Sequence, residues 1–135
     1  MKRTLVAVLF GVTVLAGCAT RSPEAEPLSE NPAVQSLVDR ARSDIPSGRF
    51  GDATAVMERA LRIEPRNPRL WLEYARIRMD QSQYQQAENL ALRADSYADG
   101  DRRLRKEIWR FIGDARESRG DTGGAAAARA KAAAL

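Results

Sequence analysis

PRLWLEYARIRMDQSQYQQAENLALRADSYADG, residues 68–100, is the stretch on which the fold turns. Within it, large side chains (Trp71, Tyr84) and small ones (Ala75, Ala87, Ala94) fall at set places. Thirty-four residues upstream of these stand Leu37, Phe50, Ala41, Ala53 and Ala60. Thirty-eight residues downstream stand Trp109, Thr122, Gly113, Ala125 and Ala132. A period in this range marks stacked supersecondary units. Two antiparallel helices come close only where both present small side chains. Ala41 is therefore expected to face Ala53, Ala75 to face Ala87 and Gly113 to face Ala125, with the large residues filling gaps between hairpins. The helix formers Ala, Leu, Arg, Glu and Gln are abundant, Val and Ile are sparse after residue 15, and alternating β-type runs are missing, so the chain reads as all-α. Pro46, Pro65 and Pro68 fall where turns or helix starts are expected.

These positions resemble the tetratricopeptide repeat (TPR), a helix-turn-helix unit of 34 residues. Trp71 matches the large position early in its first helix, Ala75 the small one, Tyr84 the turn aromatic, and Ala87 and Ala94 the small positions of its second helix. Tyr74 replaces the family's usual Leu, and Ile63-Glu64-Pro65 matches its usual stop before a new repeat. The resemblance implies a short solenoid of about three antiparallel hairpins over residues 33–135, with repeats near 34–67, 68–101 and 106–135. Arg40 and Asp44 depart from the pattern, so the first helix is expected to be frayed or partly packed. The four-residue displacement of the third unit, about one helical turn, is placed between Tyr97 and Arg105 and lengthens one of the two helices that meet there. The last segment, GDTGGAAAARAKAAAL, has two readings. Its alanines pack on Ile112 and Gly113, or they bury too little by themselves and a partner or second copy covers that end.

The 135 residues hold 22 basic and 18 acidic side chains, no histidine and a single cysteine. The absence of histidine removes the commonest general base and metal ligand, and one cysteine makes no internal disulfide. At the start, Lys2 and Arg3 precede an apolar run, Leu5 to Leu15, too short to span a bilayer, which needs about 20 residues. This reads as a secretory signal, residues 1–17. Leu15-Ala16-Gly17-Cys18 resembles the lipobox of bacterial lipoproteins, in which the thiol takes a diacylglycerol, the preceding bond is cut and the new amino terminus is acylated. A core thiol fits poorly, because the sequence after Cys18 is polar and broken by proline. The resemblance implies a lipid on Cys18 and no other cofactor. Because Ala19 is not Asp, it also implies the outer membrane of a Gram-negative cell, facing the periplasm. Without Lys2 and Arg3 the chain carries 20 basic against 18 acidic groups. Residues 18–32 hold three prolines and few apolar groups, and read as a lipidated flexible tether reaching up to ~40 Å.

TPR solenoids bind on the concave surface lined by the first helix of each unit. The resemblance puts Gln35, Val38, Arg42 and Ile45, then Arg69, Leu72, Arg76 and Met79, then Glu107, Arg110, Asp114 and Glu117 on that surface. Arg42, Arg69, Arg76 and Arg110 make a basic set that can hold carboxylates, with Leu72 and Met79 as adaptable apolar surface. The groove reading is a site for an extended or helical peptide with acidic groups. The other reading is an ordinary solvated face. The clamp with which some TPRs hold chaperone tails needs Lys or Asn where Val38, Glu73 and Glu107 stand, and so is not expected. No metal-ligand spacing, phosphate loop or convergent polar cluster points to an enzyme. Charges alternate in sign along the helices, which argues against nucleic acid. The function expected is an outer-membrane adaptor that binds an envelope protein or peptide, such as a protease or a peptidoglycan-modifying enzyme. The alternative is a pilotin-like assembly factor for a secretion or pilus pore. Self-association through the alanine-rich end is a third expectation.

Overall fold

A computed structural model describes residues 26–135; the signal segment and Cys18 lie outside the described residues. The chain forms three helix hairpins: α1 (Pro32–Asp44) with α2 (Phe50–Ile63), α3 (Pro68–Asp80) with α4 (Tyr84–Tyr97), and α5 (Arg102–Ser118) with α6 (Thr122–Ala134). No strand occurs among the described residues. Asn31 and Asn67 cap α1 and α3, accepting from the Ala33 and Arg69 amides at 3.0 Å, and a proline follows each at the first helical position. Asp101 and Asp121 cap α5 and α6, accepting from the Leu104 and Gly124 amides at 2.9 and 2.8 Å. A Cβ on Gly124 would crowd the Asp121 carboxylate as it is now oriented, which the glycine avoids.

The three turns inside the hairpins share one backbone. Gly48, Ser82 and Gly120 hold the same register position and are all left-handed, at φ +70°, +58° and +89°. The next amide then reaches five residues back: Arg49 to the Asp44 carbonyl at 3.0 Å, Gln83 to Arg78 at 2.9 Å, and Asp121 to Arg116 at 2.9 Å. This bond satisfies a carbonyl left open at the helix end. Serine is strained there by about 1–2 kcal/mol, of which the flexibility of glycine in the unfolded chain takes back roughly half. Ser82→Gly is therefore expected to raise stability by about 0.5–1 kcal/mol in urea titration.

The extra turn lies in α5, which has 17 residues against 13 in α1 and α3. The expectation of a frayed first helix is corrected. Val34, Val38 and Ala41 are completely buried, while Arg40 stays exposed. Asp44 is buried at the end of α1 because Arg49 reaches back across the turn to within 2.5 Å of it. The tether boundary at residue 32 also moves. Leu28 enters the core, its amide donates to Gln35 and its carbonyl accepts from Asn67 at 3.0 Å. Ser29 donates to Glu64 at 2.6 Å. The sequence offers a single leucine among polar neighbours here, and burial of that leucine fixes the arm to the domain.

The core has two clusters. One gathers Leu28, α1, α2 and the Leu70, Tyr74 and Ile77 side of α3; the other gathers the Leu72 and Ala75 side of α3 with α4, α5 and α6. Trp71 and Leu90 touch both. Ala41, Ala53, Ala60, Ala75, Ala87, Ala94, Ala125 and Ala132 are all buried, as the close-approach argument requires. α6 packs on α5 through Ala125, Ala128 and Ala132. Lys131 covers the Trp109 ring at 3.6 Å from its centre.

Candidate functional site

The first helices, α1, α3 and α5, lie side by side, and a ladder of ion pairs runs across them. Arg42 of α1 donates to Glu73 of α3 at 2.6 Å. Arg76, one turn along α3, donates to the other oxygen of Glu73 at 3.0 Å and also pairs with Glu107 of α5. The Glu73 side chain is only 8% exposed, whereas Arg42, Arg76 and Glu107 reach solvent. Burial pushes the Glu73 carboxyl up, but hydrogen bonds and charge from Arg42 and Arg76 outweigh it, and Glu73 titrates below the ordinary glutamate value. Arg42 is raised in turn, chiefly by its hydrogen bond to Glu73.

The structure separates the residues expected to share a site. Arg42 and Arg76 come together through Glu73, with Met79 half-buried one turn beyond Arg76. Leu72 is only 2% exposed and packs with the α5 side chains, so it offers no surface to a partner. Its register position faces the following repeat and not the groove. Arg69 is drawn to the edge of the solenoid, 3.3 Å from Glu26 and 4.0 Å from Asp101. There it lines a cavity of about 520 Å³ between residues 26–30 and the turns after α2 and α4. Arg110 is exposed on α5 and has no carboxylate within ion-pair distance among the described residues.

A family description, tetratricopeptide repeat, matches residues 46–106. No curated protein matches the sequence. Among solved structures, the globular C-terminal domain of P. aeruginosa LpoP aligns over 98% of its own length and 77% of this chain, with 39% identity and a TM-score of 0.73. The chain belongs to the LpoP family. The N-terminal domain of stress-induced protein-1 (STI-1) from C. elegans aligns over 81% of its length and 74% of this chain, with 14% identity and a TM-score of 0.68. That second likeness is one of fold alone.

Two features of this LpoP-family domain escape the residue-by-residue reading. The first is Glu73 as the buried centre of the ladder. Both inter-helix rungs, Arg42 to Glu73 and Arg76 to Glu107, span 31 residues, and that interval was there to be found once the repeat was known. The second is the company of Arg110: Lys106, Asp114, Arg129, Ala132 and Ala133 surround a second cavity of about 520 Å³ between α5 and α6. No group of three or more His, Cys, Asp or Glu among the described residues could hold a metal ion. No described helix is long and apolar enough to cross a membrane.

Proposed function

We propose that the chain is an envelope adaptor, tied to the outer membrane on its periplasmic side by lipid on Cys18, that holds another envelope protein or peptide on its concave face. The observation that carries this is the pre-ordered ladder. A guanidinium has five N–H donors, and the ladder uses one from Arg42 and two from Arg76. Donors remain at fixed positions beside Met79, which suits a partner with carboxylates or carbonyls next to an apolar side chain. The anchor reading is supported by the lipobox. It also agrees with the place of the matched region, which is C-terminal in this chain as it is in LpoP. With Leu28 docked, nine residues separate Cys18 from Leu28, a reach of about 30 Å.

The test is capture from envelope extract by the full detergent-solubilised chain, beside Arg76→Lys/Met79→Ala. The lysine keeps a positive charge for Glu73 and removes the planar fork. Arg42 remains in place, so the fold is preserved. The expected result is a partner retained by the parent and lost at least tenfold by the variant, together with release of Cys18→Ser from the membrane fraction. Equal retention by parent and variant would refute the concave site. A Cys18→Ser chain that stays in the membrane would refute the anchor. Loss of assembled outer-membrane pores on deletion, with no captured partner, would favour the pilotin role.

A further inference from the structure

The three units can be compared at the positions that face the following repeat. Val38 and Leu72 share one such position and are buried; its third occupant is Arg110, which is exposed. Met57 and Ala91 share another and are completely buried; its third occupant is the exposed Arg129. Val34 and Pro68 share a third, taken in the last unit by Lys106. In the first two units these positions are buried, except for Pro68, which is half-buried. In the third unit no described helix covers the equivalent residues, and a cavity of about 520 Å³ lies open between α5 and α6, with Ala132 and Ala133 among its lining.

The charges of this slot are unbalanced. Arg129 is shared between Asp114, at 3.1 Å, and Glu117. Lys106 and Arg110 have no carboxylate within ion-pair distance among the described residues. Most arginines that face a neighbouring helix are neutralised, as Arg42, Arg76, Arg105, Arg116 and Arg119 show. A second copy presenting the same slot would set Lys106 and Arg110 against their own equivalents, which costs energy. A helix with carboxylates at Lys106 and Arg110 and small side chains on Ala132 and Ala133 matches the slot in charge and shape.

We propose that this slot docks an acidic amphipathic helix of a partner protein, which completes the solenoid as its seventh helix. The surface is separate from the ladder and does not rest on the concave-face reading. The experiment uses the full ¹⁵N-labelled chain in zwitterionic micelles. The probe is a synthetic alanine-based peptide of about 18 residues, long enough to be helical, with glutamates along one face. A matched peptide carries glutamine in place of every glutamate, and a third carries lysine. The expected result is shifted amide signals at Lys106, Arg110, Ala132 and Ala133, binding at least tenfold tighter for the Glu than for the Gln peptide, and weakening with salt. Lys106→Glu/Arg110→Glu alters the half-buried Lys106 and the exposed Arg110, neither of them a core residue, and should reverse the preference toward the Lys peptide. Equal binding of the Glu and Gln peptides would overturn the proposal, as would an unchanged preference in the double variant. Shifts confined to Arg76 and Met79 would also overturn it and leave the concave reading standing. Shifts produced by phosphatidylglycerol vesicles and not by the peptide would assign the slot to a lipid surface instead.

Discussion

Replacing Arg42 and Arg76 together with alanine is expected to destabilise the domain by about 3 kcal/mol, well beyond the sum of the single changes. Either arginine alone still neutralises Glu73, and both are more than a third exposed, so each single change costs about 1 kcal/mol or less. Losing both leaves a carboxylate only 8% exposed with no counter-charge, which is the costly state. The pH dependence separates this from loss of packing. In the parent, Glu73 titrates below its unfolded value, so its contribution is present above that value and lost as pH falls through the folded one. In the double variant burial is unopposed and the carboxyl is pushed up. Acidification from pH 7 toward the glutamate range should then recover stability in the variant while the parent holds or loses it. Urea titrations at pH 7 and pH 4.5 read both effects. Additive single changes, or parallel pH profiles, would mean that Glu73 finds another partner.

Much of the architecture was legible because a repeat reports itself at several levels. The small-residue pairs, the one-turn insertion and the shared turn position at Gly48, Ser82 and Gly120 all follow from counting by 34 and then 38. The site was less legible. Register shows which way a side chain leaves its helix, but it does not show what meets that side chain from the next unit. Arg42 and Arg76 each meet an acid 31 residues on. Arg69 stands near a helix start, where the docked arm brings Glu26 to it. The arm itself was misjudged because composition averaged over residues 18–32 hides one anchoring leucine among prolines and polar groups. The buried Asp44 likewise became intelligible only with Arg49 folded back across the turn.

Leu72→Ala is expected to cost about 2–5 kcal/mol and to impair any partner binding only through the fraction of chains unfolded. Leu72 joins Leu104, Ile108, Trp109 and Ile112 in the C-terminal core cluster, and truncation leaves a void between α3 and α5 that those side chains fill incompletely. Arg110 occupies the equivalent position one repeat later, yet it is exposed among the described residues, and Arg110→Ala should change stability by no more than about 0.5 kcal/mol. The contrast isolates the covering helix as the cause, because register, helix type and direction of departure are the same at the two positions. Urea unfolding of the two variants, followed by binding of the acidic peptide under conditions where both are fully folded, keeps the roles apart. Leu72→Ala should then bind as the parent does, and Arg110→Ala should bind several-fold more weakly at undiminished stability. If Leu72→Ala were as stable as the parent, Leu72 would not be packed between α3 and α5. If Arg110→Ala were strongly destabilised, the open end of the solenoid would already be closed by the chain itself, and no room would remain there for a seventh helix.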